Sequence, residues 1–395
     1  MFASFCRRRL LRLRRIPSAA GTNPSRPNPS DAFLSHGYSS SALAGGTVSE
    51  PCPATISYLV SCGLSPAAAA THKLRIRSTD KADAVRVLFR GYGFTDADIT
   101  EIVRRVSLIL TLDPDRILRP KLDFFATLGI KPRKLATTPL LLTRSLDKHL
   151  VPCIQFLRGI LGTDGDLCYA ITRTPRALMA DLEKNMLPAV DALRRLGLPE
   201  KSISKLLTLE MGVLMVSTDR ISQVFEDVKA LGLDVTDTGF LYSFRALLCL
   251  SRETWLRKVA LYRSFGVSEA ELHMAFKTQP TILLFSDENI EKKLRFFLDE
   301  LKLQQSELMA KPVLLASSLE KTIIPRCAVL SVLTREGMID PNIKFVSALL
   351  GSAKIFSKRF VLRYAHDVPD VVKAYEGKIT FEGFRDRDAL VSQKQ

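Results

Sequence analysis

The chain has 395 residues, 46% of them hydrophobic and 25% charged, enough for an elongated repeat domain or two compact ones. No uninterrupted apolar run approaches the roughly 20 residues that span a bilayer, which argues against an integral membrane protein. Lysine and arginine total 57 against 41 acids, a formal charge of +16 that favours an anionic partner without saying which.

The N-terminus reads as an address. Arg7, Arg8, Arg9, Arg12, Arg14 and Arg15 alternate with Phe2, Phe5, Leu10, Leu11, Leu13 and Ile16, and no acid occurs in the first twenty residues. Arginine breaks the apolar part too often for a secretory signal, and the pattern is that of an organelle transit peptide. An arginine-rich nucleic-acid arm or nuclear signal is the alternative. The Ser/Pro/Gly-rich stretch over 17–53 favours a cleavable address over 1–40 and a linker over 41–53, with the mitochondrion as destination and the chloroplast as the alternative. Seven arginines against Asp31 give residues 1–40 a charge of +6, leaving +10 for the rest.

From Gly93 the chain repeats itself. An apolar-Gly-apolar step occurs at Gly93, Gly129, Gly197, Gly232 and Gly266, loosely at Gly162, with Lys302 replacing glycine, and finally at Gly337. The successive intervals are 36, 33, 35, 35, 34, 36 and 35 residues, a solenoid period. We number the units from one, beginning after Gly93. Each predicts a short amphipathic helix, opened by a capping box at Ser268/Glu271 and a similar pair at Thr95/Asp98. A proline break follows at Pro139, Pro175, Pro280 and Pro312, then a brief apolar turn. Ser145, Ser286 and Ser318 stand six residues past a break and predict the N-cap of a longer helix. Its buried stripe reads Leu150, Ile154, Leu157, Leu161 in unit two and Ile290, Leu294, Phe297, Leu301 in unit six. The register drifts in units three (Met186, Val190, Leu193) and four (Ile221, Phe225, Val228). Unit four has Glu210 where proline would stand, and unit five has no break between Gly239 and Ser251, so the geometry of both is open to revision. A single unit cannot bury both helices, whereas stacked units can, so the expected fold is an α-solenoid over 54–377 with a disordered tail over 378–395.

The unit built from Leu-Gly-apolar, Pro139-Leu140-Leu141-Leu142, Ser145 and Pro152-Cys153-Ile154-Gln155-Phe156-Leu157, with Pro280-Thr281-Ile282-Leu283-Leu284, resembles the mitochondrial transcription termination factor (mTERF) family, in particular its land-plant branch. Ile56-Ser57-Tyr58-Leu59-Val60 with Cys62-Gly63-Leu64-Ser65 is similar to the family's beginning. Phe356-Ser357-Lys358-Arg359-Phe360-Val361, Val368-Pro369 and Tyr375-Glu376-Gly377 are similar to its ending. The resemblance implies an all-α solenoid of about seven to eight repeats, each of two α-helices and a short 3-10 helix, curved into a half-doughnut with a basic groove. It also implies double-stranded DNA binding in organellar transcription and its termination. RNA binding in intron splicing or ribosome assembly is an alternative, and a protein-interaction scaffold is another.

Three residues before the repeat glycine stand Arg194, Lys229 and Arg263, with Arg158 and Arg335 shifted by one place. Stacked helices would align them as a basic row able to meet phosphates. The competing reading is that they serve the helix C-termini on which they sit. Arg144, Arg173 and Arg176 form a second basic set around the breaks. Phe124, Phe125, Phe156, Phe225, Phe296 and Phe297 have core spacing, and Trp255 is ambiguous. The seven cysteines and five histidines form no zinc spacing. No phosphate loop, HExxH or GxSxG occurs, so neither an enzyme nor a cofactor or metal is expected. We expect a monomer that binds nucleic acid.

Overall fold

The computed structural model describes residues 52–384, except 73, 77, 341, 342 and 344. The transit-peptide reading of 1–40 and most of the linker lie outside the described residues, as does the tail from 385. Among the described residues there is no strand, and no helix is long and apolar enough to cross a membrane. The described residues form α-helices joined by short 3-10 and π turns, and the repeats are built as two-helix units. The chain divides into two compact bodies, one ending at Ile117 and one starting at Leu118.

In the first body, helices Pro53–Ser61, Thr79–Gly91 and Asp96–Arg105 bury Leu59, Val85, Phe89 and Ile102. Polar bonds fix their mutual placement: Tyr58 Oη donates to Asp83 at 2.6 Å and the Ile76 amide to Thr55 Oγ1 at 3.0 Å. Thr95 and Asp98 form the full capping box.

The second body holds the repeats, and proline punctuation acts as the physical argument requires. Helix Pro132–Thr137 stops at Thr138, the 3-10 turn Pro139–Thr143 follows, and Ser145 Oγ accepts from the Lys148 amide at 3.2 Å. Ser286 and Ser318 cap the second helices of units six and seven in the same way. In unit three the equivalent residue is Asp181, whose carboxylate takes the Glu183 and Lys184 amides at 3.0 and 2.9 Å. Those two bonds hold the carboxyl below its ordinary pKa.

One recurrent feature was not expected. The second helix begins with a π-turn at Leu146–Leu150, Leu182–Met186 and Leu319–Ile323. Each turn stands just before a proline, Pro152, Pro188 or Pro325. A proline ring collides with the carbonyl four residues back and offers no N–H to it. Widening the turn relieves the collision: the Leu150 amide bonds to Ser145 O, five residues back, and Met186 and Ile323 do likewise to Asp181 and Ser318. Units four and five carry Val224 and Lys258 in place of this proline. Their second helices, Thr218–Ala230 and Arg252–Ser264, are plain α from the cap onward.

The departures in units four and five resolve differently. Unit four keeps the standard break without proline, because Glu210 adopts φ −151° and ψ 74°, and the 3-10 turn Met211–Met215 follows. The Glu210 carboxylate accepts from Cys249 Sγ at 3.5 Å and faces Arg245 at 3.7 Å. Burial pushes the Cys249 thiol up to about 12. Unit five has no 3-10 turn; helix Thr238–Cys249 runs almost directly into the cap at Ser251. In unit seven the turn Val313–Ala316 is α rather than 3-10.

The predicted stripes are buried: Leu150, Ile154, Leu157 and Leu161 lie in the core, as do Ile290, Leu294, Phe297 and Leu301. Of the six phenylalanines given core spacing, Phe125, Phe225, Phe296 and Phe297 are buried, while Phe124 and Phe156 are half-buried. Trp255 is half-buried, edge-on to Phe276 with ring centroids 5.3 Å apart. The segment after Gly377, read as tail, packs as far as Phe384. Phe381 meets Phe296 and Phe384 meets Phe345, with centroids 6.1 and 4.7 Å apart.

Cations join unit to unit. From the second helix of one unit, a buried or half-buried basic side chain donates to carbonyls just before the second-helix cap of the next. Lys121 Nζ reaches Leu142 O at 2.7 Å and Lys293 Nζ reaches Leu315 O at 2.6 Å. Arg220 reaches Leu247 O and Leu250 O at 3.1 and 3.0 Å, and Lys258 bonds to Phe285 O. At the last interface Arg326 NH1 meets Leu349 O at 2.6 Å and Gly351 O at 3.0 Å, its guanidinium 4.8 Å from the Phe356 ring. Burial lowers the pKa of Lys121, Lys258, Lys293 and Arg326. The turn carbonyls would otherwise be buried without donors, which costs about 1–3 kcal/mol apiece.

Candidate nucleic-acid interface

The glycine corners place the proposed basic row. Gly129, Gly162, Gly197, Gly232, Gly266 and Gly337 all have φ between 70° and 83°, the left-handed region a helix C-cap uses. At most corners the glycine amide and the next residue's amide close back on the helix. At Gly197 they bond to Arg194 O and Leu193 O at 2.9 and 3.2 Å. The chain therefore reverses within two residues, and the last turn of one helix faces the first turn of the next.

That reversal decides what the row touches. Arg194 Nε lies 2.7 Å from Glu200, Arg158 Nε lies 2.8 Å from Asp164, and Arg263 pairs with Glu269. Within the first body Arg90 pairs with Asp96 at 2.8 Å. In every case the acid stands six residues after the arginine, at the first turn of the following helix. Neither the phosphate reading nor the helix-terminus reading anticipated this partner. The signal was present in the sequence as Arg followed six places later by Asp or Glu across the corner. Lys229 has Val235 at that place, and its Nζ lies 5.9 Å from the Phe225 ring centroid. Arg335 pairs with its neighbour Glu336 at 3.0 Å.

These five side chains remain exposed. Solvent-exposed ion pairs contribute about 0–1 kcal/mol, so a phosphate could displace the acid at little cost. The pairing holds the Arg158, Arg194 and Arg263 guanidinium groups at equivalent corners.

The second basic set separates. Arg144 is half-buried, and its NH2 donates to Met179 O at 3.2 Å. It thereby also joins unit two to unit three, as the buried cations join their units. Arg176, in the 3-10 turn Pro175–Met179, is half-buried and lies near the Cys249 thiol. Arg173 is exposed; it donates to Tyr169 Oη at 3.3 Å, with its guanidinium 5.6 Å from the ring centroid.

Two further sets went unread in the sequence. At the C-terminal end Lys354, Lys358, Arg359 and Arg363 are all exposed on and after helix Ala353–Phe356, opposite buried Phe356, Phe360 and Val361. No acid occurs between Asp340 and Asp367. The other set lies on the first helices. Glu200–Leu209 packs beside Asp164–Arg173, and the open groove between them, about 520 Å³, is lined by Asp166, Lys201, Ser204, Lys205 and Thr208. Among the described residues no cluster of His, Cys, Asp or Glu could hold a metal ion.

Comparison with known proteins agrees with this architecture. The family profile described as mTERF matches residues 74–157 and 150–356. Transcription termination factor MTERF8, chloroplastic, of Arabidopsis thaliana is 23% identical over 232 residues, 56% of this chain and 45% of its own length. Transcription termination factor MTERF15, mitochondrial, of the same plant is 24% identical over 286 residues, 71% of this chain and 55% of its own length. The chain thus spans about half the length of these curated relatives. With glycine corners, proline breaks and two-helix units in place across the matched region, the chain belongs to the mTERF family.

Proposed function

We propose that the protein binds double-stranded DNA in an organelle and regulates transcription there, including its termination, as a monomer and without catalysis. The observation that carries this reading is the family membership of a chain with a formal charge of +10 outside residues 1–40. Its supports are the basic residues at successive unit corners, Arg158, Arg194, Lys229 and Arg263, and the acid-free C-terminal cations. The two relatives are named as transcription termination factors, one chloroplastic and one mitochondrial, which supports an organellar setting. The arginine-rich leader favours the mitochondrion of the two.

Phosphate contacts set position and make affinity salt-dependent, because each releases condensed counterions. Reversing charge together at Arg194, Lys229 and Arg263 should therefore weaken binding to a duplex. It should also flatten the slope of log affinity against log salt, by roughly 0.9 for each phosphate no longer neutralised. Fluorescence anisotropy on a labelled duplex across a salt series measures both. An unchanged slope would remove these three residues from the interface. Absence of salt-sensitive binding to duplex DNA, single-stranded RNA or heparin would leave the protein-scaffold reading in its place.

A further inference from the structure

We propose that the exposed side of the first helices in units two to five forms a separate site for single-stranded nucleic acid. This goes beyond the duplex reading and uses none of the residues of the corner row. Counting six residues back from the start of the short turn gives equivalent places in successive units. From Pro139, Pro175 and Met211 they are Arg133, Tyr169 and Lys205. Unit five lacks the turn, and proximity identifies its member: Lys205 Nζ lies 5.3 Å from the ring centroid of Tyr242. Cation and ring therefore alternate along the stack.

Exposed tyrosines are unusual in a fold that buries its aromatics. Tyr169 is 49% and Tyr242 39% exposed, whereas Phe240 and Phe244, on the same helix as Tyr242, are 1% exposed or less. Each tyrosine has a cation near its ring, Arg173 at Tyr169 and Lys205 at Tyr242. A partly exposed ring with a cation beside it is a stacking platform for a base, with the positive charge placed for the adjoining phosphate. The groove between the first helices of units three and four adds Lys201 and the Ser204 and Thr208 hydroxyls. Its two acids are already engaged: Asp166 accepts from Thr163 Oγ1 at 2.7 Å and Glu200 holds Arg194.

Spacing and chemistry select the ligand. Tyr169 and Tyr242 stand two helix steps apart, about 16–20 Å. A stacked strand advances about 3.4 Å per nucleotide, so five or six nucleotides bridge the rings, and an extended strand needs fewer. Bases inside a duplex have both faces covered by their neighbours, so ring platforms have nothing to take from duplex DNA. The site fits a short, unpaired run with little sequence preference.

The test compares the full chain with Y169A/Y242A, Y169F/Y242F and K205Q on a labelled 12-nucleotide single strand and, in parallel, a 20-base-pair duplex, by anisotropy. Each ring removed should weaken single-strand binding roughly five- to hundredfold. Phenylalanine should retain it, K205Q should flatten its salt dependence, and duplex affinity should stay within about twofold for all variants. Circular dichroism of Y169A/Y242A checks that the fold is intact, as expected for two exposed side chains. Unchanged single-strand affinity in Y169A/Y242A, or equal loss in the phenylalanine pair, overturns the proposal. So does duplex binding by the wild-type chain with no single-strand binding, an outcome that leaves the duplex reading standing. Single-strand binding without duplex binding has the opposite effect: it overturns the duplex reading and supports this one.

Discussion

Arg326→Ala should destabilise the second body by about 2–5 kcal/mol, the cost of leaving carbonyls without their donor plus that of the cavity left behind. The side chain is 4% exposed and its NH1 holds two carbonyls, Leu349 O and Gly351 O, while the guanidinium lies against Phe356. Alanine would leave those carbonyls without their donor and open a cavity beside the ring. Methionine separates the two effects. It fills much of the volume but offers no N–H, so Arg326→Met should cost about 1–3 kcal/mol, the desolvation penalty alone. Urea unfolding followed by circular dichroism measures both. A loss below about 1 kcal/mol for the alanine variant would show that the turn at Gly351 finds other donors, and that the unit-joining cations are incidental.

The corners provide the second large effect, with opposite signs at two sites. Lys302 has φ 52°, the one non-glycine residue with positive φ among those described, and it occupies the place where the repeat lacks glycine. Lys302→Gly should raise stability by about 1 kcal/mol, since the left-handed conformation costs an L-residue about 1–2 kcal/mol and glycine returns part of that through its unfolded-state entropy. Gly197→Ala should lower it by about 1–2 kcal/mol. A Cβ at Gly197 meets nothing within 4 Å, so the whole cost is conformational. Thermal unfolding of the two variants beside wild type reads the pair. Loss of stability in Lys302→Gly would mean that the lysine side chain contributes more than its backbone costs.

The period was legible because its signals are local. A glycine with positive φ, a serine six places past a proline and an apolar stripe at helical spacing each follow from the chemistry of one or two residues. Ser145, Ser286, Ser318 and Gly197 behave as that chemistry requires. The π-turn before Pro152 was not legible, because a proline near a helix start ordinarily causes no harm. Here the cap at Ser145 starts the helix seven residues before that proline, so the ring falls on an interior carbonyl. Lys121, Lys293 and Arg326 were missed because apolar periodicity counts a cation as outward, whereas their partners are carbonyls about 21–23 residues further on. The corner ion pairs were half-read: the arginines stood out, but the acids six places on, beyond the glycine, did not. Glu210 shows the limit of punctuation, since the φ/ψ of the break survives without the proline that marks it elsewhere.

The cations that join units bear on how the array comes apart. Units four, five, six and seven each send a basic side chain forward to the next unit, and unit two reaches unit three through Arg144 and His149, the latter 2.7 Å from Leu178 O. Among the described residues the second helix of unit three, Leu187–Arg195, sends no such bond; Arg195 turns back to Asp191 O in its own helix. The polar link from that helix to unit four is the exposed Arg194–Glu200 pair, weak in water, which makes this joint the seam at which breathing of a one-dimensional stack is expected to begin. A strand lying across Tyr169, Lys205 and Tyr242 would bridge this seam from outside, so occupancy and stiffness would rise together.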